Sequence, residues 1–290
     1  MTDNILNLKD SFNTDDKLEV VFKPSVLTRT RIQAGYDHFV DNRGINQLGE
    51  IVFDEENQIV LGGALYVLEK IFGVTSPLTV DYLNDIMSIA TTGTPITDIY
   101  PKTNVVCLFG VGIGGCGDTI ASVKDVKFYE REILTMIPFR VAASTTLTTD
   151  EKLHYWFKKL DTVSGKTSYY LKTFDSVPQI KVLWKDGIGD EDGTVVQDGV
   201  ENTTRTDPIE TFIELILKIS KYDVREYFQI NGNIEQTRIN SIGLFTGILG
   251  TLADGSTDYK QVKLFSKLNI NNEMLTLAKD LTIIYRIYTS

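Results

Sequence analysis

The residues best placed to do chemistry are the glycines of Gly110-Val-Gly-Ile-Gly-Gly115, which fit G-x-G-x-x-G and follow the apolar run Val105–Phe109. In a dinucleotide-binding fold such glycines let backbone amides meet a pyrophosphate at a helix N-terminus. That reading needs a helix next. Thr119–Tyr129 instead alternates like a strand, through Ile120, Ser122, Lys124, Val126 and Phe128. The spacing therefore predicts a close-packed turn with no bound nucleotide.

Other candidates are weaker. Asp186, Asp190, Glu191, Asp192 and Asp198 offer oxygen ligands to a hard cation, but not at the spacing of a calcium loop; they read as a solvated acidic loop. His38 and His154, the only histidines, have no cysteine, histidine or carboxylate at ligand spacing. Cys107 and Cys116 cannot form a four-thiolate site and read as buried free thiols. Tyr155-Trp-Phe157 and Tyr169-Tyr170, interleaved with Lys152, Lys158, Lys159, Lys166 and Lys172, could stack bases or sugars. Cross-strand packing in a hairpin around Ser164-Gly165-Lys166 is the simpler account. No G-x-S-x-G, H-E-x-x-H or phosphate-loop signature occurs. The sequence therefore assigns no catalytic residue, cofactor or metal ligand.

The surrounding chain has 290 residues, 42% hydrophobic and 23% charged, as in an ordinary folded protein. Its formal net charge of −10 argues against a nucleic-acid wrapper or a membrane-surface binder, both of which need a positive face. The polar start lacks the charged and apolar regions of a secretory signal, and no window approaches 18 uninterrupted apolar residues, so no membrane association is expected.

The elements expected are an acidic arm over 1–23 containing a short strand at Leu18–Phe22, a helical region over 24–102, and a β-rich domain over 103–290. In the helical region Ile32, Tyr36, Phe39 and Val40 repeat at helical spacing before Gly44. Helices over 57–72 and 79–90 form a hairpin across Gly73–Pro77. Asp207, Pro208 and Glu210 resemble cap, first-turn proline and capping-box partner of a long amphipathic helix over 208–229, with Ile209, Phe212, Ile213, Ile216 and Leu217 as its stripe. Strands are expected at Ile242–Leu249, Val262–Ile270 and Leu281–Tyr288. The class expected is α+β, a β-rich sandwich-like core with a helical hairpin and one long amphipathic helix.

Charge is unevenly spread. Asp186–Glu214 holds nine acidic residues and one basic, net −8, whereas Lys260–Ser290 holds five basic and two acidic, net +3. Such faces on neighbouring copies would favour head-to-tail contact and ring closure.

The last fifty residues carry a resemblance. Ser241-Ile-Gly-Leu-Phe-Thr-Gly247, Lys263-Leu-Phe-Ser-Lys-Leu-Asn-Ile270 and Leu281-Thr-Ile-Ile-Tyr-Arg-Ile-Tyr288 resemble the ending of structural proteins of contractile-tailed bacteriophages. They are similar to the neck (collar) and head-to-tail connector proteins. The resemblance implies a non-catalytic virion component, made in the host cytoplasm, that forms a ring between portal or capsid and tail. Its partners would be copies of itself, a portal or adaptor protein and tail proteins, with DNA only passing through the lumen. A tail or baseplate position is the alternative. An enzyme, nucleotide-dependent through Gly110–Gly115 or carbohydrate-active through the aromatic hairpin, is the rival of another class. The expected interface residues are Lys263, Lys267, Lys279, Ile284, Arg286 and Tyr288, facing Asp190 and Asp192.

Overall fold

A computed structural model describes residues 29–42, 44–76, 80–89, 104–117, 122–142, 147–186, 194–196, 205–251, 255–275 and 278–289. In chain order these form β1 (Arg29–Val40), β2 (Asn46–Glu55), β3 (Gln58–Ile59), α1 (Leu61–Phe72), α2 (Leu83–Ile86), β4 (Val105–Gly112), β5 (Met136–Ile137), β6 (Arg140–Ala142), α3 (Glu151–His154), β7 (Tyr155–Leu160), β8 (Thr167–Thr173), β9 (Gln179–Asp186), β10 (Thr194–Val196), β11 (Arg205–Ile219), α4 (Arg225–Ile230), β12 (Arg238–Thr251), β13 (Thr257–Met274) and β14 (Leu281–Thr289). Two antiparallel sheets result. One has the order β10-β9-β11-β14-β1-β2; the other runs β3-β13-β12-β4-β8-β6, with β5 beside β4 and β7 beside β8.

The core lies between them. Ile32 and Ala34 of β1, Leu215 and Leu217 of β11, and Ile283, Tyr285 and Ile287 of β14 meet Phe109 and Val111 of β4, Leu244 of β12 and Phe265 of β13. The second sheet is also covered on its far side, where Val60, Leu83, Ile133 and Phe157 pack on Leu108, Leu171, Phe245 and Leu264. Burial on both faces explains why β4 reads as an unbroken apolar run. In β13 the pairing slips: Leu244 faces Ser266 but Phe245 faces Leu264, leaving Phe265 as an extra residue. This bulge sends Leu264 to the outer layer while Phe265, Leu268 and Ile270 enter the inter-sheet core, so Leu264 lies on the opposite face from Leu268 and Ile270 although the three are an even number of residues apart.

The α+β class is corrected to a strand-dominated one. No long amphipathic helix spans 208–229: Pro208–Ile219 belongs to β11, and only Arg225–Ile230 is helical there. The apolar residues mimic helical spacing because β11 is central and needs apolar side chains on both faces, Leu215 and Leu217 inward, Phe212 and Ile216 outward. Pro208 is tolerated because the β9–β11 register shifts beside it. The helix expected to end at Gly44 is β1, paired with β14 and β2. Of the helical hairpin, α1 is present and closes on Gly73 in the left-handed conformation (φ 63°), but its partner is reduced to the four residues of α2.

The outward face of the first sheet is closed by the 41–46 turn. Its centre is a buried ion triad. Glu214 of β11 accepts from Lys181 Nζ of β9 at 2.6 Å and from Arg286 Nε of β14 at 2.8 Å. Lys181 also donates to the Gly44 carbonyl at 2.5 Å and Arg286 to the Asn46 carbonyl at 2.5 Å, while the Asn46 amide donates to Glu214. The row continues through Gln33 to Asp54 and Arg31, so five strands are cross-linked by one polar line. Hydrogen bonding from Arg31 holds the Asp54 carboxyl below its ordinary range.

Candidate interaction site

A cavity of about 720 Å³ opens between the two sheets at one end of the sandwich. It exists because β8 leaves the second sheet after Thr173. The chain crosses over, and the Asp175 amide donates to the Ile216 carbonyl of β11 at 2.8 Å. β4 therefore loses its β8 neighbour below Leu108.

Tyr66, Cys107 and Tyr259 line one wall, and Phe174, Ile213 and Leu215 line the other. Val105, Val177 and Ile180, at or beside its mouth, are 47%, 81% and 70% exposed. Burial pushes the Cys107 thiol up to about 11 and the Tyr66 hydroxyl up to about 12, and raises Tyr259 as well. At neutral pH these groups are uncharged, and the thiol is protonated, which makes it a poor nucleophile. Tyr66 already donates to the Asn104 carbonyl at 3.0 Å. The wall is suited to receiving apolar groups rather than to reacting with them.

The glycine motif has a different role. The amides of Ile113 and Gly114 donate to the Thr135 and Leu134 carbonyls at 3.1 and 3.0 Å, and that of Gly115 donates to Asn240 Oδ1 at 2.7 Å. Donors of a phosphate cradle are thus spent inside the protein. A Cβ on Gly115 would lie 2.0 Å from the Asn240 carbonyl oxygen. The motif marks close approach of backbones. Gly115→Ala should therefore cost about 1–3 kcal/mol through overpacking, read as a lower urea midpoint; an unchanged midpoint would contradict this contact.

A second cluster resembles acid–base machinery. Asp223 accepts from Tyr155 Oη at 2.5 Å, Lys172 Nζ at 2.7 Å and the Ser220 amide at 2.8 Å. Burial, then the adjacent Asp223 carboxylate, raises the Tyr155 hydroxyl well above its usual value. The adjoining void is only about 10 Å³, which leaves no room for a substrate. The cluster pins the end of β11 to β7 and β8, so it is a tie between the sheets.

The expected interface residues fall in unlike places. Lys267 is fully buried and pairs with Glu130. Ile284 and Tyr288 lie on the covered outer face, and Arg286 belongs to the ion triad. Lys263 is half-buried, its ammonium 5.1 Å from the Tyr82 ring centre. Lys279 is exposed and pairs with Asp37 at 2.8 Å. Asp190 and Asp192 lie outside the described residues. Burial removes Lys267, Ile284, Arg286 and Tyr288 from the surface that a neighbouring copy could touch. The cleft is not legible in the sequence because its residues come from six separated segments, and the only local mark is Asp175-Ser-Val-Pro178, where the chain changes sheets.

The histidines bond to Asn46 (His38, 2.8 Å) and Thr173 (His154, 3.2 Å). Among the described residues no group of histidine, cysteine and carboxylate side chains could hold a metal ion, and no helix is long and apolar enough to cross a membrane. No family model matches the chain, and no curated protein or solved structure matches it either.

Proposed function

We propose that this chain is a ring-forming structural component of a contractile-tailed phage particle, placed at the neck between portal and tail, whose copies meet through the open end of the sandwich. The carrying observation is the apolar cleft with Val105 and Val177 exposed in its lining and Ile180, opposite the lining residue Ile213 in the β9–β11 register, exposed next to it. A continuous apolar surface of this kind marks a protein contact. The phage-like segments supply β12, β13 and β14, long strands at the heart of both sheets. The buried charges of Lys172, Lys181, Glu214, Asp223, Lys267 and Arg286 are committed to internal partners, which suits a protein that works by its surfaces. The overall acidity suits a channel wall, since carboxylates repel DNA phosphate and let it slide.

The test is mass photometry and negative-stain microscopy of the full chain, with antibody labelling of purified particles. A closed ring, and label between head and tail, are expected. Label at the baseplate would move the protein to the far end of the tail, and a chain that stays monomeric and is absent from particles would remove the reading. Ile180→Asp should abolish ring formation while leaving the melting temperature nearly unchanged, because a side chain this exposed contributes little to the monomer. Rings that form normally with aspartate at this position would take the cleft end out of the contact.

A further inference from the structure

The cleft has the outline of a missing strand. Along one edge β4 pairs with β12 from Val105 to Gly112. Along the other, β8 takes only Leu108 and Phe109, and β5 only Val111 and Gly112. Below Leu108 that second edge has no strand beside it among the described residues. Backbone groups in an antiparallel pair point alternately to the two edges, so those of Val105–Cys107 that point away from β12 have no strand partner among the described residues and face the apolar cleft. An extended segment laid there would satisfy them and place alternate side chains between the sheets, against Phe174, Ile213 and Leu215.

The chain holds a segment of this description. In Leu18-Glu-Val-Val-Phe22 the apolar Leu18, Val20 and Phe22 share one parity. This segment belongs to residues 1–28, which precede β1 and lie outside the described residues. β1 begins at the cleft end of the sandwich: Arg29 is opposite Tyr288, and Thr30 opposite Ile287, which lines the cavity. We propose that the open edge of β4 accepts Leu18–Phe22 of a neighbouring copy as an added strand, so that exchange of this segment joins copy to copy. The proposal rests on the ring reading above and names its contact. Donor segment and acceptor edge are different surfaces of one chain, so a one-way exchange is head-to-tail and gives a ring where the rotation closes, whereas a reciprocal exchange stops at a two-fold dimer, whose oxidised product is a covalent dimer and no ladder.

Disulfide trapping in the full chain tests it. Cys116→Ser leaves Cys107, in the cleft wall, as the sole thiol. Glu19→Cys, Val20→Cys and Val21→Cys, which sample both faces of the added strand because Cys107 packs toward the outer cluster, are then added one at a time and each variant is oxidised with diamide. At least one should give a ladder of covalent multimers on a non-reducing gel that collapses with dithiothreitol, whereas Cys116→Ser alone should give none. A disulfide confined to single chains, or none at any of the three positions, overturns the exchange. Mass photometry of the same samples before oxidation separates the two claims: rings without a ladder sink the exchange and spare the ring, and absence of rings in the unsubstituted protein sinks the ring itself.

Discussion

Glu214→Ala should lower the unfolding free energy by about 3–5 kcal/mol, the usual cost of removing one partner from a buried ion pair. The carboxylate is 1% exposed and is shared by Lys181, also 1% exposed, and Arg286, 7% exposed. Without it two cations would remain in the same dry space, held only by the Gly44 and Asn46 carbonyls and by Gln33. Those carbonyls belong to the turn that covers the sheet, so the loss should spread to the cover. Chemical denaturation checks the magnitude, and hydrogen exchange at residues 44–46 checks the route. Lys181→Met, Glu214→Leu and Arg286→Met together should restore most of the loss, because an apolar triad of similar volume leaves no buried charge without its partner. A single alanine variant as stable as the parent would show that water reaches the triad.

Part of this arrangement was legible in the sequence. Leu281, Ile283, Tyr285 and Ile287 alternate with Thr282, Ile284, Arg286 and Tyr288, and the two sets occupy opposite faces of β14 as period-two spacing requires. The hairpin at Gly165 (φ 67°) and the stop of α1 at Gly73 follow from local backbone chemistry, so short-range signals sufficed. The β11 segment misled because a strand buried on both faces loses its alternation, and Asp207-Pro208 then imitates a helix cap. The triad was hidden for a different reason. Lys181, Glu214 and Arg286 are separated by 33 and 72 residues and share a site only through the β9-β11-β14 order. Charge counting along the chain placed Glu214 and Arg286 on opposing surfaces of different copies, whereas sheet pairing brings them together within one.

The tie at the other end of the first sheet gives the second large expectation. Asp223→Ala should cost about 3–5 kcal/mol, since it strands the Lys172 ammonium, which would keep only the Lys218 carbonyl at 2.9 Å. Tyr155→Phe, which removes one hydrogen bond to the same carboxylate, should cost about 1.5–3 kcal/mol. The ordering of the two variants matters more than either value: if removing the Tyr155 hydroxyl costs as much as removing Asp223, its hydrogen bond rather than the Lys172 charge is what holds β7 to the 220–223 turn. Titration supplies an independent check. The Tyr155 hydroxyl is raised by burial and by Asp223, and Tyr285, fully buried, is raised by burial. An unfolded tyrosine ionises near pH 10. The folded chain therefore holds more protons than the unfolded one above that pH, and stability must fall as pH rises beyond about 10. These hydroxyls contribute fully below that point. Urea midpoints should accordingly begin to decline above about pH 8.5, where the Cys107 thiol of the unfolded chain ionises and the buried one does not, and drop more steeply above about pH 10, and tyrosinate absorbance from the buried set should appear together with unfolding rather than before it. In Tyr155→Phe the alkaline drop should be shallower. Complete ionisation of all tyrosines in a chain that is still folded would show that the inter-sheet tie is open to solvent.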